Sequence, residues 1–303
     1  MNTYLSILLK DAKLRLTPFT QWAGELKNPE ILRADIVAGI TVALVLIPQS
    51  MAYAQLAGLP PHIGLYASFL VPIIAALFGS SRQLQNGPVA IISLMSAAAL
   101  ANLALSTEQY IIHAAILALM VGVFQLILGF LRLGVLVDFL SHPVVIGFTN
   151  AAAIVIGSLQ IGKLFGISME SNTNLFTTFS KFIGEIPTHT HLPTLIMGIF
   201  SLFLLIYMRR QFPRLPGILL TVVITIILSW LIGFEDRGGA VVGFVNPGLP
   251  AIRIPIADEW HFKPLIVPAM IIALLSFVEA FSIAKAVASK TRQRISADQE
   301  MVG

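Results

Sequence analysis

The sequence predicts an all-α polytopic membrane protein, and three observations carry that prediction. The 303 residues are 56% hydrophobic and only 11% charged, with a mean hydropathy of +0.86. Soluble domains carry about 25% charged residues, and a surface made with so few would leave large apolar patches against water. The apolar residues also fall in uncharged runs near the roughly 20 residues that a spanning helix needs. Lys and Arg, finally, collect between these runs with the asymmetry of membrane loops.

About eight segments follow, over 35–56, 62–79, 87–105, 110–131, 135–160, 192–208, 216–233 and 264–289. The third is short and starts straight after Gly87-Pro88. The sixth and seventh lie near the lower length limit. Three divisions result: an N-terminal cytoplasmic segment 1–33, a transmembrane domain 34–289, and a cytoplasmic connector 290–303. Leu5, Leu8, Leu9, Leu14 and Leu16 alternate with Lys10, Lys13 and Arg15, which fits either a surface-lying amphipathic helix or a basic flank. Nothing in 1–33 reads as a secretory leader, because no early apolar run meets a small-residue cleavage site. Residues 161–191 read as a polar connector. The stretch 234–263, rich in Gly, Pro and charge, reads as an ordered loop.

With the N-terminus inside and eight crossings, 13 of the 19 Lys and Arg face the inner side and 5 the outer, Lys285 falling within the last span. The positive-inside rule therefore favours a cytoplasmic N-terminus. The chain has no cysteine, which removes disulfides and thiolate metal sites. Its net charge of +4 contains no basic run suited to nucleic acid. No His, Asp or Glu cluster has metal-ligand spacing, and no Ser-His-Asp set or phosphate-binding Gly loop is present. An enzyme is not expected, nor any resident cofactor.

Three places carry polar chemistry inside apolar sequence. The first segment reads Ile47-Pro48-Gln49-Ser50-Met51-Ala52-Tyr53. Proline in mid-helix removes one backbone hydrogen bond, and the freed carbonyl needs another partner in lipid. Gln49 and Tyr53 lie four apart on one face, where an amide and a phenol either meet a buried polar guest or join neighbouring helices. The second place is Arg82-Gln83-Leu84-Gln85-Asn86-Gly87-Pro88-Val89-Ala90. Here a polar stretch turns directly into an apolar helix with proline in its first turn. At mid-membrane this would be a half-helix whose free N–H groups point at an anion; at the surface it would be an ordinary loop. The third is Glu279, a carboxylate deep in the last segment with Ser276 and Ser282 on its stripe. A charge there faces protein interior or water, and it either binds a proton or cation or pairs with a neighbour.

These residues resemble the SulP anion transporter family. The run Asp35 to Ala54, with Pro48, Gln49 and Tyr53, is similar to the family's first transmembrane helix. Leu59-Pro60-Pro61-His62-Ile63-Gly64 resembles the turn that follows. Ser80-Ser81-Arg82-Gln83 through Gly87-Pro88-Val89-Ala90, Ser141-His142-Pro143, Pro216-Gly217, Pro247-Gly248-Leu249-Pro250 and Glu279-Ala280-Phe281-Ser282 resemble later motifs in order. The likeness covers the chain from about residue 30.

The resemblance implies a 7+7 inverted-repeat (UraA-like) transporter fold of 14 segments, with half-helices at segments 3 and 10 and a cytoplasmic STAS domain after them. The present chain would hold the first repeat plus segment 8, truncated before segment 9, without the second repeat's half-helix or the STAS domain. It further implies a dimeric carrier of sulfate, bicarbonate, chloride or dicarboxylates in a bacterial inner membrane, often driven by protons or sodium. Carried over by position, Gln49, Tyr53 and the backbone amides of Val89 and Ala90 would meet the anion, and Glu279 would take the coupling cation. Segments 1, 2, 3 and 8 would move as an elevator against segments 5, 6 and 7. An anion exchanger or channel of the same fold, a nucleobase-type transporter and a membrane-embedded enzyme are the alternatives. The nucleobase reading needs carboxylates placed for a base edge, and the enzyme needs clustered His, Asp or Glu at an interface.

Overall fold

The computed structural model describes residues 17–101, 103, 106–132, 134, 142–167, 175–212, 215–243, 248–249, 262–293 and 295–303. All regular structure among them is helical. After two short 3-10 turns, Pro18–Gln21 and Ala23–Lys27, come α1 (Pro29–Leu56), α2 (Pro61–Phe78), α3 (Ala90–Ala101), α4 (Thr107–Phe130) and α5 (His142–Phe165). Then follow α6 (Leu175–His189), α7 (Leu192–Gln211), α8 (Gly217–Leu231), α9 (Phe262–Thr291) and α10 (Ala297–Val302). Among the described residues, five helices are long and apolar enough to cross a membrane: α1, α2, α4, α7 and the Lys263–Ala288 part of α9. By contrast α3 has 12 residues. At about 1.5 Å per residue it spans roughly 18 Å, well short of the ~30 Å hydrocarbon core.

Helix starts follow local chemistry. α1 begins at Pro29 rather than Asp35 because Asn28 caps it, accepting the Glu30 N–H at 3.0 Å. Asn at the cap, Pro at the first position and Glu in the first turn together form a strong start signal that a hydropathy window overlooks. α4 opens with a reciprocal capping box between Ser106 and Gln109. The third helix starts at Ala90, and residues 84–89 before it are non-helical.

The expectation of a polar connector over 161–191 is corrected: α5 runs on to Phe165 and α6 occupies Leu175–His189. Leu175, Phe176, Phe179, Phe182, Ile183 and Ile186 recur at helical spacing. With 15 residues and several polar side chains, α6 falls below the hydropathy of a span while keeping its amphipathic period. The end of the chain carries the short helix α10 within the expected connector 290–303. Residues 1–16, on which the amphipathic-helix expectation rests, lie outside the described residues, as does most of the expected loop 234–263.

The chain divides into two compact units. One contains residues 1–39, 50–145 and 247–303, and therefore α2, α3, α4, α9 and α10 with both ends of α1. Its core is formed by Leu100 of α3, Ile116 and Leu117 of α4, and Leu265, Ala269 and Ile272 of α9. Leu265, Ala269 and Ala273, spaced by four, are completely buried, so α9 turns one continuous apolar stripe inward. α10 seats Met301 against Phe277 and Phe281 of α9. Near the end of α1, Ser50 and Ala54 lie so close to Gly64 of α2 that a Cβ there would stand 2.9 Å from the Ala54 Cβ and collide with the Ser50 carbonyl.

The other unit contains residues 40–49 and 146–246. Within it α7 packs on α8, and Phe165 meets Phe182 of α6 edge-on at 5.5 Å. His191 ties three loops: its backbone N–H donates to Phe165 O at 2.9 Å. Its Nε2 donates to Arg237 O at 2.8 Å, and Nδ1 accepts from Thr194 at 2.7 Å.

Candidate functional site

The site is built at the start of α3, inside the unit that holds α2, α3, α4 and α9. Beyond α2 the chain turns at Ser80-Ser81, where the Glu300 carboxylate accepts both backbone N–H groups and the Ser80 hydroxyl. Leu84 N–H then donates to Ser81 Oγ at 3.2 Å, and the chain runs on through Gly87-Pro88. The first backbone bond of α3 joins Ser93 N–H to Val89 O at 2.9 Å. The N–H groups of Ala90, Ile91 and Ile92 therefore have no acceptor within the helix, as at any α-helix start.

This start opens on a cavity of about 520 Å³. Tyr53 from α1, Val89, Ser93 and Ser96 from the α3 side, Gln125 from α4, and Ser276 and Glu279 from α9 line it. No Lys or Arg does so among the described residues. Positive potential in this space comes from oriented backbone N–H groups and the helix dipole, which favour an anion over a cation at that end. Glu279 supplies the opposite sign on another wall, and its carboxylate makes no hydrogen bond or ion pair with a described residue. The pairing that would make Glu279 a merely structural carboxylate is thus not seen among those residues. Lys285 of the same helix instead stands 5.9 Å from the Phe281 ring centroid.

Of the residues singled out in the sequence, Tyr53, Val89 and Glu279 line one cavity. Ala90 is the first residue of α3, with its side chain outside the lining, so only its backbone N–H belongs to the helix start. Gln49 is one turn before Tyr53 in α1, falls in the stretch 40–49 that groups with the other unit, and is not among the lining residues. Gln125 and Glu300 are among the polar lining residues that escaped the sequence reading. Gln125 was detectable as a lone amide in an apolar helix, which in a membrane marks a buried partner. Glu300 gave no such signal, because Asp298-Gln299-Glu300 reads as an ordinary polar flank.

A short helix whose N-terminus opens on a largely apolar cavity with a few polar side chains in its wall, among helices long enough to cross a bilayer, defines a multi-pass membrane protein. The sulfate permease family model matches residues 32–303, and the chain belongs to that family, one of permeases rather than enzymes. A probable sulfate transporter of Mycobacterium tuberculosis is 40% identical over 271 residues, covering 89% of this chain and 48% of that protein. The chloroplastic sulfate transporter 4.1 of Arabidopsis thaliana is 37% identical over 297 residues, covering 95% and 43%. The chain thus spans about half the length of the relatives it matches. Among solved structures, the inward-facing murine Slc26a9 anion transporter superposes with a TM-score of 0.85 at 25% identity, covering 97% of this chain and 52% of that one. The transmembrane domain of the cyanobacterial bicarbonate transporter BicA gives 0.78 at 22% identity, covering 91% and 70%.

Proposed function

We propose that this sequence forms part of a secondary active transporter of small anions, with sulfate as first candidate and bicarbonate or a dicarboxylate next. The observation that carries the proposal is the convergence of Tyr53, Val89 and Glu279 on one cavity at the N-terminus of α3, without a cationic side chain among its described lining residues. Sulfate comes first because two relatives, 40% and 37% identical over the matched residues, are a probable sulfate transporter and sulfate transporter 4.1.

In this mechanism α3 acts as a half-helix within a 7+7 inverted-repeat fold. The N–H groups at Val89 and Ala90, with Tyr53 of α1, replace part of the water around the anion. Oriented backbone dipoles suit a divalent anion because they need no counter-charge that must later be released. Glu279 binds the coupling proton or sodium ion, and neutralising it removes repulsion between its carboxylate and the anion. Alternating access is an elevator motion in which α1, α2, α3 and α9 carry the anion. The full protein acts as a homodimer in a bacterial inner membrane. Residues 1–33 and 290–303 face the cytoplasm, 34–289 form the membrane domain, and a second repeat and STAS domain complete the chain.

Uptake of sulfate, bicarbonate and fumarate into proteoliposomes, with an imposed proton or sodium gradient, tests the proposal on the longest natural chain containing this sequence. Gradient-driven uptake of one anion, uncoupled from the gradient in Glu279→Gln, is expected. Uptake indifferent to both gradients and to that variant would make Glu279 structural and the protein an exchanger or channel.

A further inference from the structure

The half-helix is only as useful as its position is fixed, and the segment leading into it contains no regular structure of its own. Residues 79–89 carry the chain from the end of α2 to the start of α3 without a helical or sheet ladder. Something else must hold their backbone groups.

The holding group is Glu300. Its Oε1 accepts the Ser80 N–H at 2.7 Å, the Ser80 hydroxyl at 2.6 Å and the Ser81 N–H at 2.6 Å. A carboxylate oxygen is a stronger acceptor for such donors than a neutral carbonyl. The neighbours of Glu300 reinforce the joint. Gln299 Nε2 donates to Phe78 O at 2.6 Å, completing the last turn of α2. Ser296 N–H donates to Ser80 Oγ at 3.0 Å. Asp298 Oδ1 accepts the Gly134 N–H at 2.9 Å, beyond the end of α4. Packing closes the same contact: a Cβ on Gly129 of α4 would stand 2.9 Å from Val302 Cγ2. Residues more than two hundred positions downstream thus clamp the turn that sets where Val89 and Ala90 stand.

We infer that Glu300 is a positioning residue for anion binding: by clamping Ser80 and Ser81 it fixes the entry of the chain into α3, and with it the aim of the α3 N-terminus. Glu300 also lines the cavity, where a loose carboxylate would repel the anion. Three donors hold it to the wall and offset its charge locally. The inference rests on the proposed placement of the anion at that N-terminus.

The absence of cysteine from the 303 residues allows a test that separates the two. Val89→Cys is made in the longest natural chain containing this sequence, with any further cysteines replaced. Its reaction with a charged thiol reagent is followed at rising sulfate, bicarbonate or fumarate. Slowing of the reaction by one of these anions is expected; if none slows it, the placement of the anion at α3 fails, and the role of Glu300 with it.

Given protection, Glu300→Ala is expected to raise the half-protecting concentration about tenfold, the order expected from losing charged hydrogen bonds. Glu300→Gln, which keeps an acceptor oxygen, should raise it by less than about threefold. Thermal unfolding is measured in parallel. A lower melting temperature in Glu300→Ala with an unchanged half-protecting concentration would make the clamp a stability feature only and overturn the inference. Should Glu300→Ala fail to fold, Ser80→Ala, which removes one of the three donors, takes its place with a smaller shift expected in the same direction. No shift there would equally overturn it.

Discussion

Gln125 of α4 donates its Nε2 to the Ser276 hydroxyl of α9 at 2.8 Å and to the Ala273 carbonyl at 3.2 Å. The Ser276 hydroxyl in turn donates back to Ile272 O at 2.7 Å. This short polar chain ties α4 to α9 one turn before Glu279, at the cavity wall.

Replacing Gln125 by Leu should remove the interhelical bonds and lower stability by about 1 kcal/mol, read as a fall in the melting temperature of detergent-purified protein. Gln125→Glu keeps the shape and adds a negative charge at the cavity wall. It should weaken anion affinity by about tenfold or more through like-charge repulsion in a partly desolvated site. Equal anion affinities in the two variants would place Gln125 outside the site's electrostatics.

Gly64 and Gly39 make a matched pair. Alanine at Gly64 meets the Ser50 carbonyl and the Ala54 Cβ, whereas alanine at Gly39 meets nothing within 4 Å. Gly64→Ala should destabilise by about 2 kcal/mol or more, because helix backbones must part. Gly39→Ala should be neutral or stabilising by up to about 1 kcal/mol from helix propensity. Unfolding curves of both variants beside the parent check the contrast.

Tyr110 holds the turn between α1 and α2 by donating its hydroxyl to Ala57 O at 2.7 Å. Gly58 in that turn has φ +75, and a Cβ there would stand 2.8 Å from the same hydroxyl oxygen. Tyr110→Phe should lose about 1 kcal/mol. Gly58→Ala should lose about 1–2 kcal/mol from the left-handed conformation plus the clash. The double variant should be less unstable than the sum, because the hydroxyl that blocks the Cβ is gone. Strict additivity in a double-mutant cycle would refute this coupling.

Arg82 and Glu25 form an exposed ion pair at 2.9 Å, with side chains 42% and 45% accessible. One guanidinium nitrogen serves both carboxylate oxygens, so the two-nitrogen fork that strengthens such pairs is absent. Arg82→Gln should change stability by no more than about 0.5 kcal/mol, with the difference vanishing in high salt. A larger, salt-insensitive loss would show that the pair braces the loop before α3.

Much of this molecule was legible in one dimension. Lipid as solvent demands long uncharged runs, so α1, α2, α4, α7 and α9 announce themselves by length and hydropathy, and Gly87-Pro88 announces an interrupted third segment. Intramembrane polarity is costly, which is why Tyr53 and Glu279 stood out before any geometry was known. Amphipathic α6 is the exception, because its signal lies in the period of its apolar residues rather than in mean hydropathy.

The sequence by itself determined the class and the long apolar helices, because each depends on the solvent a segment faces or on residues a few positions apart. Only the tertiary structure decided that Tyr53, Val89 and Glu279 share a cavity while Gln49 is not part of its lining, that Gln125 reaches Ser276, and that Glu300 clamps Ser80 and Ser81. Those contacts join residues separated by long loops. Each partner taken alone is an ordinary amide, hydroxyl or carboxylate, whose role depends on a neighbour that folding brings within hydrogen-bond distance.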